Sequence, residues 1–390
     1  MEFIDLKAQQ KQVISQDKNL RELIQDRINS VLNHGRYILG PEVEELEKKL
    51  ASYVGVKHCI GVSSGTDALL IALMALGIKK GDQVITTPFS FFATVETILL
   101  LGAKPVFVDI EKDSYNLDPK DLKSAINKNT KAIVAVSLYG QPANFKEINK
   151  IAKKYKVPVI EDGAQSFGST HHNIKSCGLS TIGTTSFFPS KPLGGYGDGG
   201  ACFTNDDDLE KKIREISLHG QVKRYTHHRV GINGRLDTIQ AAILLAKMEL
   251  FDSEVRSRQK IGKRYTDIFN KSGFKSTPII CNGNTSVYAQ YTIQVENRNE
   301  IINKLKSKKI PTSIHYPSLL SDQKALTQEN SPLKNIFRKI TNNEIFLSKS
   351  LNNAQIISRK VLSLPMHPNL EQRDQDSIIS AVLDAIGSNN

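Results

Sequence analysis

Lys191 lies in TSFFPSKPLGGYGDGGACFTND, residues 185–206, after Phe187 and Phe188 and before Gly194, Gly195, Gly197, Gly199 and Gly200. Pro189 and Pro192 restrict the backbone on either side of it. A lysine held that way could be a phosphate clamp, a solvated charge or a nucleophile. The P-loop form of clamp is excluded, because no GxxxxGK[ST] pattern precedes it. A lysine amine becomes nucleophilic when burial or a nearby charge lowers its pKa, and such amines form Schiff bases with carbonyls. Two other stretches carry compatible chemistry. In SSGTDAL, Gly65 and Thr66 open a helix, where free N–H groups and the macrodipole favour a phosphate; a plain N-cap has the same pattern. In VPVIEDGAQS, an apolar strand ends on Glu161 and Asp162. A carboxylate at a buried strand end needs a partner. That partner is either a salt bridge or helix cap, or a heterocyclic nitrogen kept protonated. A phosphate cup, a strand-end aspartate and a Schiff-base lysine are together the parts of a pyridoxal phosphate site.

The elements that must position these residues are legible as periodicity. From about residue 58, HCIGVSS, DQVITTP, KPVFVDI, KAIVAVSLYG and VPVIEDGA read as strands. Between them TDALLIALMALG, ATVETILLLG, DPKDLKSAI and FKEINKIAKKY read as helices. This alternation predicts an α/β fold with βαβ units and a mostly parallel sheet covered on both faces. Ligands of such sheets bind outside the carboxyl ends of the strands. After Lys191 the strand GGACFTN leads into a helix expected at Asp208–Leu218, and a long helical pattern runs from Asp237 to about Phe269. The remainder, with YAQYTIQV, PTSIHYP and DQDSIISAVLDAIG, reads as a smaller α+β unit. The expected division is therefore 1–250, binding the cofactor, and 251–390. The polar tract from Ser321 to Glu344 reads as a mobile loop.

Composition narrows the function classes. The longest apolar run, Ala93–Gly102, is short and carries Glu96, so no membrane span is expected; with no signal-peptide pattern, the expected compartment is cytoplasmic. Four cysteines without a CxxC pair, and nine histidines without HxxxH or HExxH spacing, point to reduced thiols and no metal site. The net charge of +12 suits an acidic ligand. The lysines are spread along the chain without an arginine-rich arm, which favours a small anionic substrate over nucleic acid.

HGRYILGPEVEELEKKLASYVGVKH, GTDAL, EDGAQSFG, SFFPSKPLGGYGDGGA and NGRLDTIQAAIL, in that order, are similar to motifs of one family. The chain resembles the DegT/DnrJ/EryC1/StrS nucleotide-sugar aminotransferases, fold-type-I enzymes dependent on pyridoxal 5'-phosphate, from FIDLKAQQ to LSLPMHPNL. The resemblance implies that Lys191 binds the cofactor covalently, Asp162 pairs with the ring nitrogen, and Gln165 approaches the ring hydroxyl. It implies that Phe91 stacks on the ring, with a core aromatic at a helix start as the alternative. Gly65, Thr66 and Ser186 would hold the phosphate. Asn233 would reach the phosphate of a neighbouring subunit, implying a homodimer with shared sites, where a plain Asn-Gly turn is the alternative. The implied reaction takes an amino group from L-glutamate, releases 2-oxoglutarate, leaves the pyridoxamine form, and passes the amine to a keto-sugar. One branch of the family carries histidine at the lysine position and dehydrates its sugar; Lys191 implies transamination.

Within the family, FFPSKPLGGYGDGGA, RVGINGRLDTIQAAILLAKMELF, SVYAQYTI and PTSIHYP resemble members acting on a UDP-linked 3-keto sugar, UDP-2-acetamido-2-deoxy-3-oxo-glucuronate, for bacterial surface polysaccharide such as O-antigen. This implies substrate contacts from Gly35, Tyr37, Ser190, Arg235, His315 and Tyr316, with Arg235 and His315 meeting the acidic groups. Another nucleotide-linked keto-sugar, such as a dTDP-3-keto-6-deoxyhexose or a 4-keto-sugar, and a non-catalytic regulatory homologue are the alternatives. The chain departs from the pattern at Gly163 and Gly234, where alanine and a bulkier residue are expected, and at Leu319-Leu320-Ser321-Asp322 after HYP.

Overall fold

A computed structural model describes residues 2–15, 18–327, 346–347 and 350–387. Its main sheet contains β1 (His58–Val62), β2 (Gln83–Thr86), β3 (Lys104–Phe107), β4 (Thr130–Val136), β5 (Val159–Asp162), β6 (Ile182–Ser186) and β7 (Gly200–Thr204). The order is β3-β2-β4-β5-β6-β7-β1, with Phe346–Leu347 adding a short parallel edge to β3. Neighbours from β3 to β6 run parallel, and β7 is antiparallel to both β6 and β1. The expected α/β class and mostly parallel sheet are what the chain forms. Strands β2, β5 and β7 are buried along their whole length. Helices cover both faces, so the strands read as continuous apolar runs without alternation.

Helix α1 (Gly65–Ala75) follows β1 directly, and Ser64 caps it by accepting from Asp67 N–H at 3.0 Å. Helix α2 (Ala93–Leu100) packs on α1 and β3. These helices bury Ala68, Leu69, Ala72 and Ile98 against Ile60, Val84 and Val134 of the sheet. The helix expected at Asp208–Leu218 runs from Asp207 to Ser217.

Helix α3 (Thr238–Lys271) has 34 residues, a length of about 51 Å at 1.5 Å per residue. Its first half contributes Ala241, Leu244, Leu245 and Phe251 to a core with Leu46, Leu50, Phe187 and Phe203. Its last turns contribute Ile261, Tyr265 and Phe269 to a second core with Tyr291, Ile293, Leu362, Leu364 and Val382. Residue 250, where the division was expected, lies inside α3. In the second core Tyr291–Gln294 pairs antiparallel with Val361–Leu364, flanked by helices Arg298–Ser307 and Gln372–Gly387. In the polar tract, Leu320–Asp322 and Lys324–Thr327 form two short helical turns; its residues 328–344 lie outside the described residues. The departure after HYP has a packing reason. Leu319 and Leu320 are buried with Phe89, and Leu320 N–H donates to Pro88 O at 2.7 Å.

Candidate active site

Strand β5 delivers two carboxylates at its carboxyl end, and alternation sends them to opposite faces. Glu161 goes inward. It accepts from Ser176 Oγ at 2.7 Å, Cys177 N at 2.8 Å and Ser137 Oγ at 3.3 Å. Burial pushes its pKa up to about 7 despite these donors. The same pocket accounts for Gly163: a Cβ there would lie 2.6 Å from Cys177 Sγ. Here the thiol occupies the space an alanine methyl would need.

Asp162 goes toward the cavity. Thr94 Oγ1, in the first turn of α2, donates to Oδ2 at 3.0 Å, and Ala164 N–H donates to Oδ1 at 3.3 Å. Burial raises its pKa, while Lys191, Ala164 and Thr94 pull the other way. Lys191 rides on the loop between β6 and β7. Antiparallel pairing lets that loop leave and re-enter the sheet at one end. Phe187 N–H donates to Gly199 O at 2.8 Å, Gly195 N–H to Phe187 O at 2.7 Å, and Lys191 N–H to Phe188 O at 2.8 Å. Burial lowers the Lys191 pKa, and the Asp162 charge opposes the shift.

Between them lies a cavity of about 470 Å³. Gly65, Thr66, Phe91, Asp162, Gln165, Ser186 and Lys191 line it, as do Ser190, His315 and Tyr316. Gln165 is held at both ends: Tyr139 N–H donates to its Oε1 at 2.8 Å, and its Nε2 donates to Tyr316 OH at 3.1 Å. Phe91 is 56 % exposed while Phe89 is the buried ring, so the core-aromatic reading of Phe91 does not hold. His315 Nδ1 lies 2.9 Å from Ser363 Oγ. Burial and the Lys191 charge hold its pKa down to about 4. It is therefore a neutral hydrogen-bonding group near pH 7, able to meet an acidic group as a hydrogen-bond donor.

The residues present fit pyridoxal phosphate. First-turn N–H groups of a helix have no intrahelical partner. Ser64 occupies those of Asp67 and Ala68, which leaves the Gly65 and Thr66 N–H groups facing the cavity side of α1. A Cβ on Gly65 would lie 2.6 Å from Ser186 Cβ, so only glycine keeps this cradle open. Asp162 offers a carboxylate to a ring nitrogen, and Lys191 an amine to an aldehyde.

The remaining expected residues stand elsewhere. A second cavity of about 400 Å³ is lined by Asn233 and Arg235 with Ile38, Ser63, Gly197, Asp198, Asp237 and Gln240. Asp198 lines both cavities. Arg235 Nε is buried without a hydrogen-bond partner among the described residues. Asn233 is exposed. Gly35 ends a helix with φ 69°, and Tyr37 O accepts from Thr238 N–H at 3.0 Å; neither is among the residues lining these two cavities. Tyr37, Ile38 and Leu39 are instead an exposed apolar row beside the second cavity.

Sequence reasoning missed Thr94, Asp198 and Gln290, which lines the first cavity. Asp198 was detectable as the lone charge in the glycine run. Thr94 was hidden in an apolar helix. Among the described residues no cluster of His, Cys, Asp and Glu could hold a metal ion, and no helix is long and apolar enough to cross a membrane.

A half-buried lysine and a strand-end aspartate beside a phosphate cradle, on a sheet of this order, define a fold-type-I pyridoxal phosphate enzyme. More narrowly, the chain belongs to the DegT/DnrJ/EryC1/StrS aminotransferase family, whose profile matches residues 18–383. It is 50 % identical over 382 residues to the UDP-2-acetamido-2-deoxy-3-oxo-D-glucuronate aminotransferase of Pseudomonas aeruginosa, covering 98 % of this chain and 99 % of that one. The crystal structure of a DegT DnrJ EryC1 StrS aminotransferase from Brucella abortus superposes with a TM-score of 0.90 at 39 % identity, covering 99 % of this chain and 100 % of that one. NtdA of Bacillus subtilis, solved with bound cofactor PMP, gives a TM-score of 0.86 at 30 % identity, covering 99 % and 85 %.

Proposed function

We propose that this aminotransferase moves the amino group of L-glutamate onto UDP-2-acetamido-2-deoxy-3-oxo-glucuronate, in the cytoplasm, on a route to bacterial surface polysaccharide. The observation that carries the substrate reading is Arg235. Arg235 lines a cavity that shares Asp198 with the Lys191 cavity, and its Nε is buried without a hydrogen-bond partner among the described residues. A guanidinium so placed suits a carboxylate or diphosphate, and the P. aeruginosa relative is named for a substrate that carries both.

Bound pyridoxal phosphate supplies the electron sink for the reacting carbon. Asp162 keeps the proton on the ring nitrogen, its two oxygens fixed by Thr94 and Ala164. Gln165, tied at both ends, would offer its remaining N–H to the ring hydroxyl, and Phe91 would pack against the ring. Gly65, Thr66 and Ser186 would hold the phosphate. Lys191 Nζ, its pKa lowered by burial, is neutral in a larger fraction of molecules near pH 7 and moves the proton at the reacting carbon. Ser190, His315 and Tyr316 bind the sugar. Gly35, Tyr37, Asn233 and Arg235 complete the site in a homodimer, Asn233 reaching the partner's phosphate; the exposed Tyr37–Leu39 row fits that arrangement. Residues 1–250 and 251–390 serve as the cofactor-binding and smaller units.

The test is a visible titration of the cofactor-loaded protein with UDP-2-acetamido-3-amino-2,3-dideoxy-glucuronate. The lysine-bound cofactor band should convert to the pyridoxamine form. Should the band persist with this sugar and convert with a dTDP- or GDP-amino sugar, the substrate reading falls and the aminotransferase remains. Arg235→Met should raise KM for the uronate by about 10- to 100-fold, the range for losing a charged hydrogen bond. An equal rise for neutral sugar nucleotides would refute a role on the carboxylate and leave Arg235 only the diphosphate that those ligands share.

A further inference from the structure

Gln290 stands between the buried residues Ala289 and Tyr291 and is one of the residues lining the Lys191 cavity. Its Oε1 is buried and meets no donor among the described residues, whereas buried acceptors nearly always have one. Gln165, in the same wall, makes the contrast, since the protein occupies both ends of its amide. Gln290 immediately precedes the strand Tyr291–Gln294. That strand pairs with Val361–Leu364, whose Ser363 holds His315 Nδ1. It therefore belongs to the corner that supplies His315 and Tyr316, away from the sheet end that serves the cofactor.

We infer that Gln290 reads the sugar: its Oε1 accepts a hydrogen bond from an N–H or O–H on a carbon adjacent to the one being aminated. This rests on the substrate reading above. A 3-keto oxygen is an acceptor and cannot satisfy Oε1. The acetamido N–H on C2 and the hydroxyl on C4 are donors that flank the reacting carbon. The competing partner is a water. A small cavity of about 20 Å³, lined by Gln290 with Tyr115 and Thr292, has room for one.

The experiment measures binding of UDP-2-acetamido-3-amino-2,3-dideoxy-glucuronate, and of UDP alone, to the pyridoxamine-loaded enzyme by calorimetry. Neither ligand can exchange an amine with that form. Gln290→Met should bind the sugar nucleotide about tenfold more weakly with UDP unchanged, and Gln290→Glu, which keeps the acceptor, should recover most of the loss. The 4-deoxy sugar separates the two donors. If the C4 hydroxyl serves Oε1, the wild type loses affinity for that analogue and Gln290→Met makes no further difference. If the acetamido N–H serves it, the full penalty of Gln290→Met remains. Unchanged binding of both ligands by Gln290→Met would overturn the proposal and give Oε1 to the water. Equal loss of both would overturn it as damage to the pocket. Should the wild type bind only a different sugar nucleotide, the substrate reading fails. The same comparison, that ligand against its bare nucleotide, then decides Gln290.

Discussion

Replacing Lys191 by alanine lowers amino transfer by about 10⁴-fold, the upper range for losing a positioned proton-transfer group, and leaves the fold intact. The loop carrying it is fixed by its own backbone bonds to Phe187, Phe188 and Gly199, none of which involves the side chain. The substitution also relieves a buried amine whose charge is penalised by burial. His315, whose pKa is held down to about 4, is a weak base near pH 7, and in the function proposed above Asp162 serves the ring nitrogen. Stopped-flow single turnovers with L-glutamate measure the loss, and circular dichroism with a thermal melt checks the fold. The variant should also release its cofactor on dialysis. A rate within tenfold of wild type would mean that another group moves the proton.

Asp162→Asn comes next, with an expected loss of about 10³-fold, comparable to removing one preorganised electrostatic partner. The change is isosteric and keeps an acceptor for the Ala164 N–H. It replaces a charge by an amide whose N–H can face the ring nitrogen as a donor, so that nitrogen loses its proton. Thr94 Oγ1 can turn from Asp162 to Ser90 Oγ, 3.0 Å away, so the variant leaves no stranded hydroxyl. Overall turnover and a pH titration of the bound cofactor's spectrum measure the effect. A ring nitrogen still protonated near neutrality in the variant would show that Asp162 does not govern it.

Lys191, Asp162 and the helix opening at Gly65 were legible in the sequence because each lies where periodicity breaks: a strand end, a helix start, a glycine-flanked loop. The direction of β7 was not. GACFT is buried from end to end, and such a run reads the same in either orientation. The site was legible where one motif supplies it and illegible where contacts cross the chain. Thr94 reaches Asp162 across 68 positions, and nothing in ATVETILLLG marks it. Arg235 and Asn233 were assigned by motif, but a motif does not say which cavity, or which copy of the chain, a side chain serves. The opposite fates of Glu161 and Asp162 follow from strand alternation, yet the serines that receive Glu161 come from other loops.

Helix α3 is shared property. Ala241 to Val255 face one core and Ile261 to Phe269 the other, so neither core has a complete wall without it. Tyr265 and Phe269 are fully buried, and exposing side chains of that kind costs about 1.5–3 kcal/mol each. Melting either core would strip one flank of a single continuous rod. The smaller unit therefore has no boundary at which it could detach and refold alone. Loss of order along those 34 residues would strip a wall from both cores, so the two are expected to melt in one transition, which calorimetry checks.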